Sequence, residues 1–294
     1  MKIYDCTTFY SEKMMLDLRF NILNENVYKF IVVESSFSHS GEIKPFNFDI
    51  NDYPKFKDKI IYLKINSEPI DLYKDVEKLK NPIYKRLNSI KRIEQSYDFM
   101  LRGISDAQDD DLIIISDNDE IPNLNSKQFK NSNKKFFIFK QLLFYYKFNL
   151  FHDLMPWFGS KACKKRYLKS FSNLRNLKNK KYPFWRLDTY LSNIKQTRVE
   201  IIDDGGWHFT NIKTPEDLYI KMKNFGHHDE FDESNLTIED LREKINNDVV
   251  FYDHTADKRS INKWKNTFKL KIIKNHLLPS YLIENLNSFR EWFK

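Results

Sequence analysis

The chain has 294 residues, a formal net charge of +8, and 41% hydrophobic and 16% aromatic residues, enough apolar content for a substantial core and too much for a disordered chain. Its two cysteines, Cys6 and Cys163, stand far apart, which excludes a disulfide framework and fits packed thiols in a reducing compartment. No apolar run approaches the ~20 residues of a membrane span, and residues 1–10 lack the apolar core of a signal peptide, so the expected location is cytoplasmic.

In chain order, residues 2–9 alternate and are β-rich, and residues 12–24 carry Met15, Leu16, Leu18, Phe20, Ile22 and Leu23 on a broad helical pattern. Residues 30–34 form an uninterrupted apolar run of the kind found in strands covered on both faces. A polar loop at 34–41 follows, and residues 60–63 make a third strand. The order strand, helix, strand opens a doubly wound α/β domain. The spacing of Leu87, Ile90, Ile93, Tyr97, Met100 and Leu101 predicts a long helix over 83–107, which delivers the strand 112–116. Two aromatic-rich strands are expected at 136–139 and 142–146.

From 151 to 198 the pattern weakens and basic residues dominate. Trp157, Trp185 and Arg186 stand out there, because a Trp beside a loop can form a sugar platform and an Arg can neutralise a diphosphate. Residues 199–202 read as a strand, and the glycine turn Gly205-Gly206 carries His208 after it. Thr214-Pro215 caps a helix that runs through Met222 towards His227, His228, Asp229 and Glu230. The tail, 258–294, is basic and aromatic. It is expected as a helical extension of a domain spanning 1–257, packed on the core, with peripheral contact to an anionic membrane as its other use.

The most informative junction is Ile113-Ile114-Ile115-Ser116 running into Asp117-Asn118-Asp119-Glu120-Ile121-Pro122. Strand ends are where open α/β sheets hold ligands, and two carboxylates at i and i+2 can converge on one hard cation. An EF-hand is excluded because Pro122 stands where that loop needs Gly. A phosphatase of the Asp-x-Asp-x-Thr type lacks its Thr, since Ile121 occupies the position. A polar turn after a buried strand fits the same residues, so the motif alone leaves both readings open. The basic excess suits an anionic partner; no nucleic-acid motif accompanies it, and nucleic acid is not an expected partner.

Five blocks, taken together, resemble the inverting glycosyltransferases of family 17: Ile3-Tyr4-Asp5-Cys6 with Arg19; Val32-Val33-Glu34-Ser35 with His39-Ser40-Gly41 and Lys44-Pro45; Ile114 to Pro122; Gly205-Gly206-Trp207-His208-Phe209; and Leu278-Pro279 with Tyr281. They occur in family order over nearly the whole chain. The resemblance implies a GT-A-like, Rossmann-like mixed α/β sheet flanked by helices. It further implies transfer of N-acetylglucosamine or a related sugar from a UDP-sugar to a glycan acceptor, with Mn2+ or Mg2+. On this reading Asp117, Asp119 and His208 hold the metal, and Glu120 or Asp229 is the catalytic base. Asp5, Thr7, Arg19, Glu34, Ser36, His39, Gly41 and Arg186 surround the donor. A nucleotidyltransferase or sugar-phosphate hydrolase is the alternative enzyme, and a basic binding module without turnover the non-catalytic one.

Overall fold

The computed structural model describes residues 1–254, 261–264 and 268–294. Strand β1 (Ile3–Thr8) leads through helix α1 (Lys13–Leu23) to β2 (Lys29–Ser35), and a long loop then reaches β3 (Ile60–Ile65). These three pair in parallel in the order β1, β2, β3. Helices α2 (Val76–Leu79) and α3 (Pro82–Phe99) carry the chain back across the sheet. The sequence starts α3 firmly: Asn81 accepts the Ile83 N–H, and Pro82 fills the first turn, where a missing N–H costs nothing. The helix predicted to reach residue 107 instead tightens into 3-10 turns over Met100–Ile104. Gly103 lies in these turns against β2, where a Cβ would come within 2.6 Å of Ile31.

Strand β4 (Leu112–Ser116) then pairs in parallel with the free side of β1. The chain has grown the sheet in one direction from β1 and then in the other. The gap between the carboxyl ends of β1 and β4 is therefore a topological switch point, the crevice where such sheets receive ligands.

Beyond it come β5 (Glu120–Pro122), α4 (Lys127–Asn131), β6 (Phe136–Tyr145), β7 (Leu150–Phe151) and β8 (Trp157–Lys164). The two strands expected over 136–146 are one strand, β6, whose pairing with β8 shifts register between Ile138 and Lys140. The larger departure is β8. It lies antiparallel between β4 and β6 in the middle of the sheet, although Gly159, Ser160 and Lys161 gave it no strand-like pattern. Helix α5 (Phe171–Arg175), β9 (Val199–Ile202) and β10 (Gly206–Thr210) follow; β9 and β10 both run parallel to β6, and β10 also pairs antiparallel with β5. Then come α6 (Pro215–Asn224), α7 (His228–Ser234), α8 (Ile238–Asn246), β11 (Lys271–Ile272) and α9 (Ser280–Glu284). Among the described residues the sheet has eleven strands.

Helices cover both faces of this mixed sheet, and the strand alternation shows it. Phe30, Val32, Leu112 and Ile114 pack with Leu16, Leu18 and Phe20 of α1 on one face. Ile31, Val33, Ile113 and Ile115 pack with Met100, Ile104, Phe171 and Leu174 on the other. Covered on both sides, β2 and β4 are apolar through Phe30, Ile31, Val32 and Val33 and through Leu112, Ile113, Ile114 and Ile115, and turn polar only at their ends. Cys6 and Cys163 are buried free thiols.

The C-terminal tail is part of the main core. Leu278, Leu282 and Phe289 join the α1 face, and β11 pairs with β7. Trp292 and Phe293 pack against the same cluster, so those side chains are committed to the fold and not to a membrane. Residues 258–260 and 265–267 of the expected extension lie outside the described residues. No helix among the described residues is long and apolar enough to cross a membrane.

Candidate active site

The loop after β4 is held from below by a buried ion pair. Arg19, on the inner face of α1, donates from Nε to Asp5 Oδ2 at 2.7 Å and from Nη2 to Asp5 Oδ1 at 2.5 Å. Both side chains are essentially inaccessible to water. The remaining Nη1 donates to the carbonyl oxygens of Glu120, at 2.5 Å, and Asp117, at 3.4 Å. A planar guanidinium can satisfy two carboxylate oxygens and two carbonyls at once. Asp5 and Arg19, expected beside the donor, are thus a brace for the loop; burial removes them from direct ligand contact. Thr7 is buried as well, opposite Ser116, and its hydroxyl donates to the Thr8 carbonyl.

A second guanidinium closes the loop from above. Arg175, the last residue of α5, donates from Nη1 to Glu120 Oε2 at 2.6 Å and from Nη2 to both Asp117 Oδ2, at 2.7 Å, and Glu120 Oε1, at 2.8 Å. Glu120 Oε1 also accepts the Trp157 indole N–H at 2.7 Å, and Glu120 Oε2 the Asp117 amide at 3.0 Å. Burial alone would raise the Glu120 pKa, but Arg175 outweighs it and the carboxyl sits well below the usual range. Glu120, expected as a base, is corrected on this geometry: it is 0% exposed, both oxygens are occupied, and its proton affinity is depressed.

Asp117 differs. Its side chain is 40% exposed, yet its recessed position, reinforced by Glu120 and Asp119, outweighs Arg175 and raises its pKa. The Tyr97 hydroxyl donates to its other oxygen at 3.0 Å. Asp117, expected as a metal ligand, spends one oxygen on Arg175 and the other on Tyr97. Lys161, on β8, fixes Arg175 in turn. Its ammonium donates to the Arg175 and Leu177 carbonyls at 2.8 and 2.6 Å, and burial followed by the Arg175 charge pushes its pKa down to about 7.

Asp119 points to the other side of the loop. Its Oδ1 lies 3.4 Å from His208 Nε2 and its Oδ2 lies 3.6 Å from Lys221 Nζ. Burial opposes ionisation, but the charges of His208 and Lys221 outweigh it and hold this carboxyl below the ordinary range. The local fold explains the meeting: β10 pairs with β5 so that His208 stands opposite Glu120, one residue from Asp119. Gly206 enables this entry, with φ +105° and Ile121 O only 2.3 Å from where a Cβ would sit. The His208 ring packs against Trp157, the ring centroids 4.4 Å apart and the planes tilted by 35°. Lys213, just before α6, pairs with Glu12 at 3.5 Å. The electrostatic field around Glu12 also includes Lys221 and Asp119.

Asp119 and His208 offer a carboxylate and an imidazole about one ligand-to-ligand spacing apart, and the buried His208 Nδ1 has no hydrogen-bond partner among the described residues. That donor set fits two positions on a divalent cation. Among the described residues no group of three or more His, Cys, Asp or Glu side chains is arranged to hold a metal, so ligand oxygens and water would have to complete the shell.

The loop after β2 forms the opposite wall. Glu34 accepts from Lys44 Nζ at 2.5 Å, the amides of Asn47 and Phe48 at 2.8 and 3.1 Å, and the Tyr62 hydroxyl at 2.7 Å. With no exposed surface, it fastens the loop to the sheet and is not free to touch a donor. Ser36 bridges to β3 by its backbone. Gly41 takes φ +104° where Arg92 crowds it, and Arg92 donates to the His39 carbonyl at 3.2 Å. Burial and the Arg86 charge push the His39 imidazole down to about 4, with Arg92 and His228 adding to the effect and Glu12 opposing it. His39 thus lies within electrostatic reach of Glu12.

At the end of α6, Arg86 donates to the Gly226 carbonyl and meets His227 Nε2 at 3.0 Å. Its neighbouring charges are Asp229 and Glu230. Glu230 is tied to His227 and Lys263, whereas Asp229 Oδ1 is buried without a hydrogen-bond partner among the described residues. Arg186 lies on an exposed segment and pairs with Asp188 at 2.6 Å; it joins none of these groups. Arg175, Glu12, Lys213, Lys221 and Lys161 were not among the site residues expected from the sequence, although Glu12 opens the helical pattern at 12–24 and Lys161 lies in the basic stretch 151–198. Thr214-Pro215 was a usable signal for Lys221, since it fixed the helix that presents it.

No curated protein matches the chain. A solved structure, the Francisella tularensis 2-C-methyl-D-erythritol 4-phosphate cytidylyltransferase, is similar over 76% of this chain and 100% of its own, at 11% identity and a TM-score of 0.35. The family model of glycosyltransferase family 17 matches residues 1–293, and with that match over essentially its whole length the chain belongs to glycosyltransferase family 17.

Proposed function

We propose that this glycosyltransferase moves N-acetylglucosamine or a related sugar from a UDP-sugar to a glycan hydroxyl, with inversion and with help from Mn2+ or Mg2+. The observation that carries the reading is Asp119 at the switch-point crevice, facing His208 and Lys221. A divalent cation held by Asp119 and His208 would neutralise charge on the departing diphosphate. Lys221 and Lys213 supply fixed positive charge at the same crevice, which favours a leaving group that gains negative charge. The braces Arg19 and Arg175 hold the loop so that Asp119 need not reorganise during the reaction.

In the transfer the acceptor oxygen attacks the anomeric carbon, the bond to the diphosphate oxygen breaks, and UDP leaves with the bonding electrons. The acceptor proton passes to Asp229, whose Oδ1 has no hydrogen-bond partner among the described residues; Glu120, with both oxygens engaged, does not compete for it. Trp157, packed against His208, and His254 at 6.3 Å from Trp157 make an aromatic wall suited to a sugar face. The test is a screen of nucleotide sugars with glycan acceptors in the presence of Mn2+. Acceptor-dependent release of UDP supports the proposal; release of pyrophosphate or inorganic phosphate would replace it with nucleotidyl transfer or hydrolysis.

A further inference from the structure

Far from the switch point, five large apolar side chains stand in solvent within eight residues. Phe184, Trp185, Leu187, Tyr190 and Leu191 are 73, 70, 79, 71 and 94% exposed. Isolated exposed apolar residues need no explanation, but a contiguous set marks an interaction surface. Phe184 and Tyr190 also line a groove of about 680 Å³ whose charged lining residues are Lys135, Arg166, Lys169 and Arg198, with no Asp or Glu among them. Phe136 and Cys163 form part of its wall. Cys163 pairs with Ile113 near the start of β4, so the groove opens by the end of the sheet away from Asp117 and Asp119.

We propose that residues 184–191 and this cationic groove dock the protein on an anionic bilayer surface. The two halves of the patch match the two layers such a surface offers. Exposed Trp, Tyr, Phe and Leu side chains enter the boundary between headgroups and acyl chains, while Lys and Arg meet anionic headgroups. A second copy of the chain is disfavoured, because the groove would bring like charges together and the chain carries +8 overall. Nucleic acid offers no apolar layer to Leu187 and Leu191, the most exposed members of the patch. Neither signal suffices alone, since stable anchoring takes an apolar element together with a basic patch. The inference stands independently of the sugar or acceptor.

The experiment is co-sedimentation of the full chain with extruded vesicles of phosphatidylcholine, with and without phosphatidylglycerol. The protein should pellet with the anionic vesicles, much less with phosphatidylcholine alone, and less as salt rises. Trp185→Ser with Leu191→Ser should lower partitioning by on the order of tenfold or more, with an unchanged circular dichroism spectrum and melting midpoint. Lys169→Gln with Arg198→Gln should lower it by roughly 30-fold. Failure of the native protein to pellet with anionic vesicles would overturn the proposal, as would undiminished partitioning of both folded variants. A concentration-dependent dimer in sedimentation velocity that Trp185→Ser with Leu191→Ser abolishes would assign the patch to a second copy instead.

Discussion

Replacing Arg175 with Met separates the loop brace from the chemistry it supports. The guanidinium is 16% exposed and Glu120, its main partner, is 0% exposed. Removing one partner of a buried ion pair costs about 3–5 kcal/mol, because the other charge is left uncompensated. Glu120 keeps the Trp157 indole and the Asp117 amide, which places the loss near the lower end, at about 3 kcal/mol. For a chain of this length the unfolding entropy is about 0.6 kcal/mol per kelvin, so the melting midpoint should fall by about 5 °C at pH 7. The pH dependence has a definite sign. In the native protein the Glu120 pKa is depressed, so its stabilising contribution is full above the unfolded value of ~4.3 and is lost as pH falls below it. In the variant, burial without Arg175 favours the protonated carboxyl. The gap between the two proteins should therefore be widest at neutral pH and narrow towards pH 4. Arg175→Lys, which keeps the charge but cannot span both carboxylates, should lie between them. Differential scanning calorimetry at pH 7 and pH 4 measures this. A midpoint change under 1 °C at pH 7, or a gap that does not change with pH, would refute the role assigned to Arg175.

Arg19→Met should lower the midpoint by about 5–8 °C, since Asp5 would remain buried without its bidentate partner; Arg19→Met combined with Asp5→Leu should recover much of the loss, and no recovery would show that Arg19 acts by something other than charge pairing. Asp229→Asn should lower kcat by on the order of 10²–10⁴ with the melting midpoint retained, whereas Glu120→Gln should chiefly lower the midpoint. Steady-state kinetics beside thermal melts distinguish them, and an unchanged kcat in Asp229→Asn would return the base to another residue.

The alternating strands and the switch point were legible because they follow local rules. Strand segments such as 30–33 and 112–115 are covered on both faces and so are apolar throughout, and the return through α3 needs only a capped amphipathic helix. Strand β8 was not legible, since its charged centre, Lys161, is buried for the sake of two carbonyls, Arg175 at the end of α5 and Leu177 just after it. At the site, the junction at 117–120 and His208 were visible as motifs. The division of labour between the two aspartates was not, because it depends on which cation each meets: Arg175 for Asp117, Lys221 for Asp119. Such pairs join residues 58 and 102 positions apart in the chain, and no periodicity encodes them. Glu34, Asp5 and Arg19 looked like ligand residues for a related reason. A buried charge that fastens a site and one that touches a ligand have the same signature until their partners are known.

Calorimetric titration of UDP in the presence and absence of Mn2+, on the native protein and on Asp119→Asn, tests the central claim that Asp119 organises the donor site with His208. The account predicts that Mn2+ strengthens UDP binding to the native protein, and that Asp119→Asn abolishes this strengthening while its melting midpoint stays within a few degrees, on the order of 1 kcal/mol of stability. Equal enhancement by Mn2+ in both proteins would contradict the assignment of the cation and the diphosphate to Asp119.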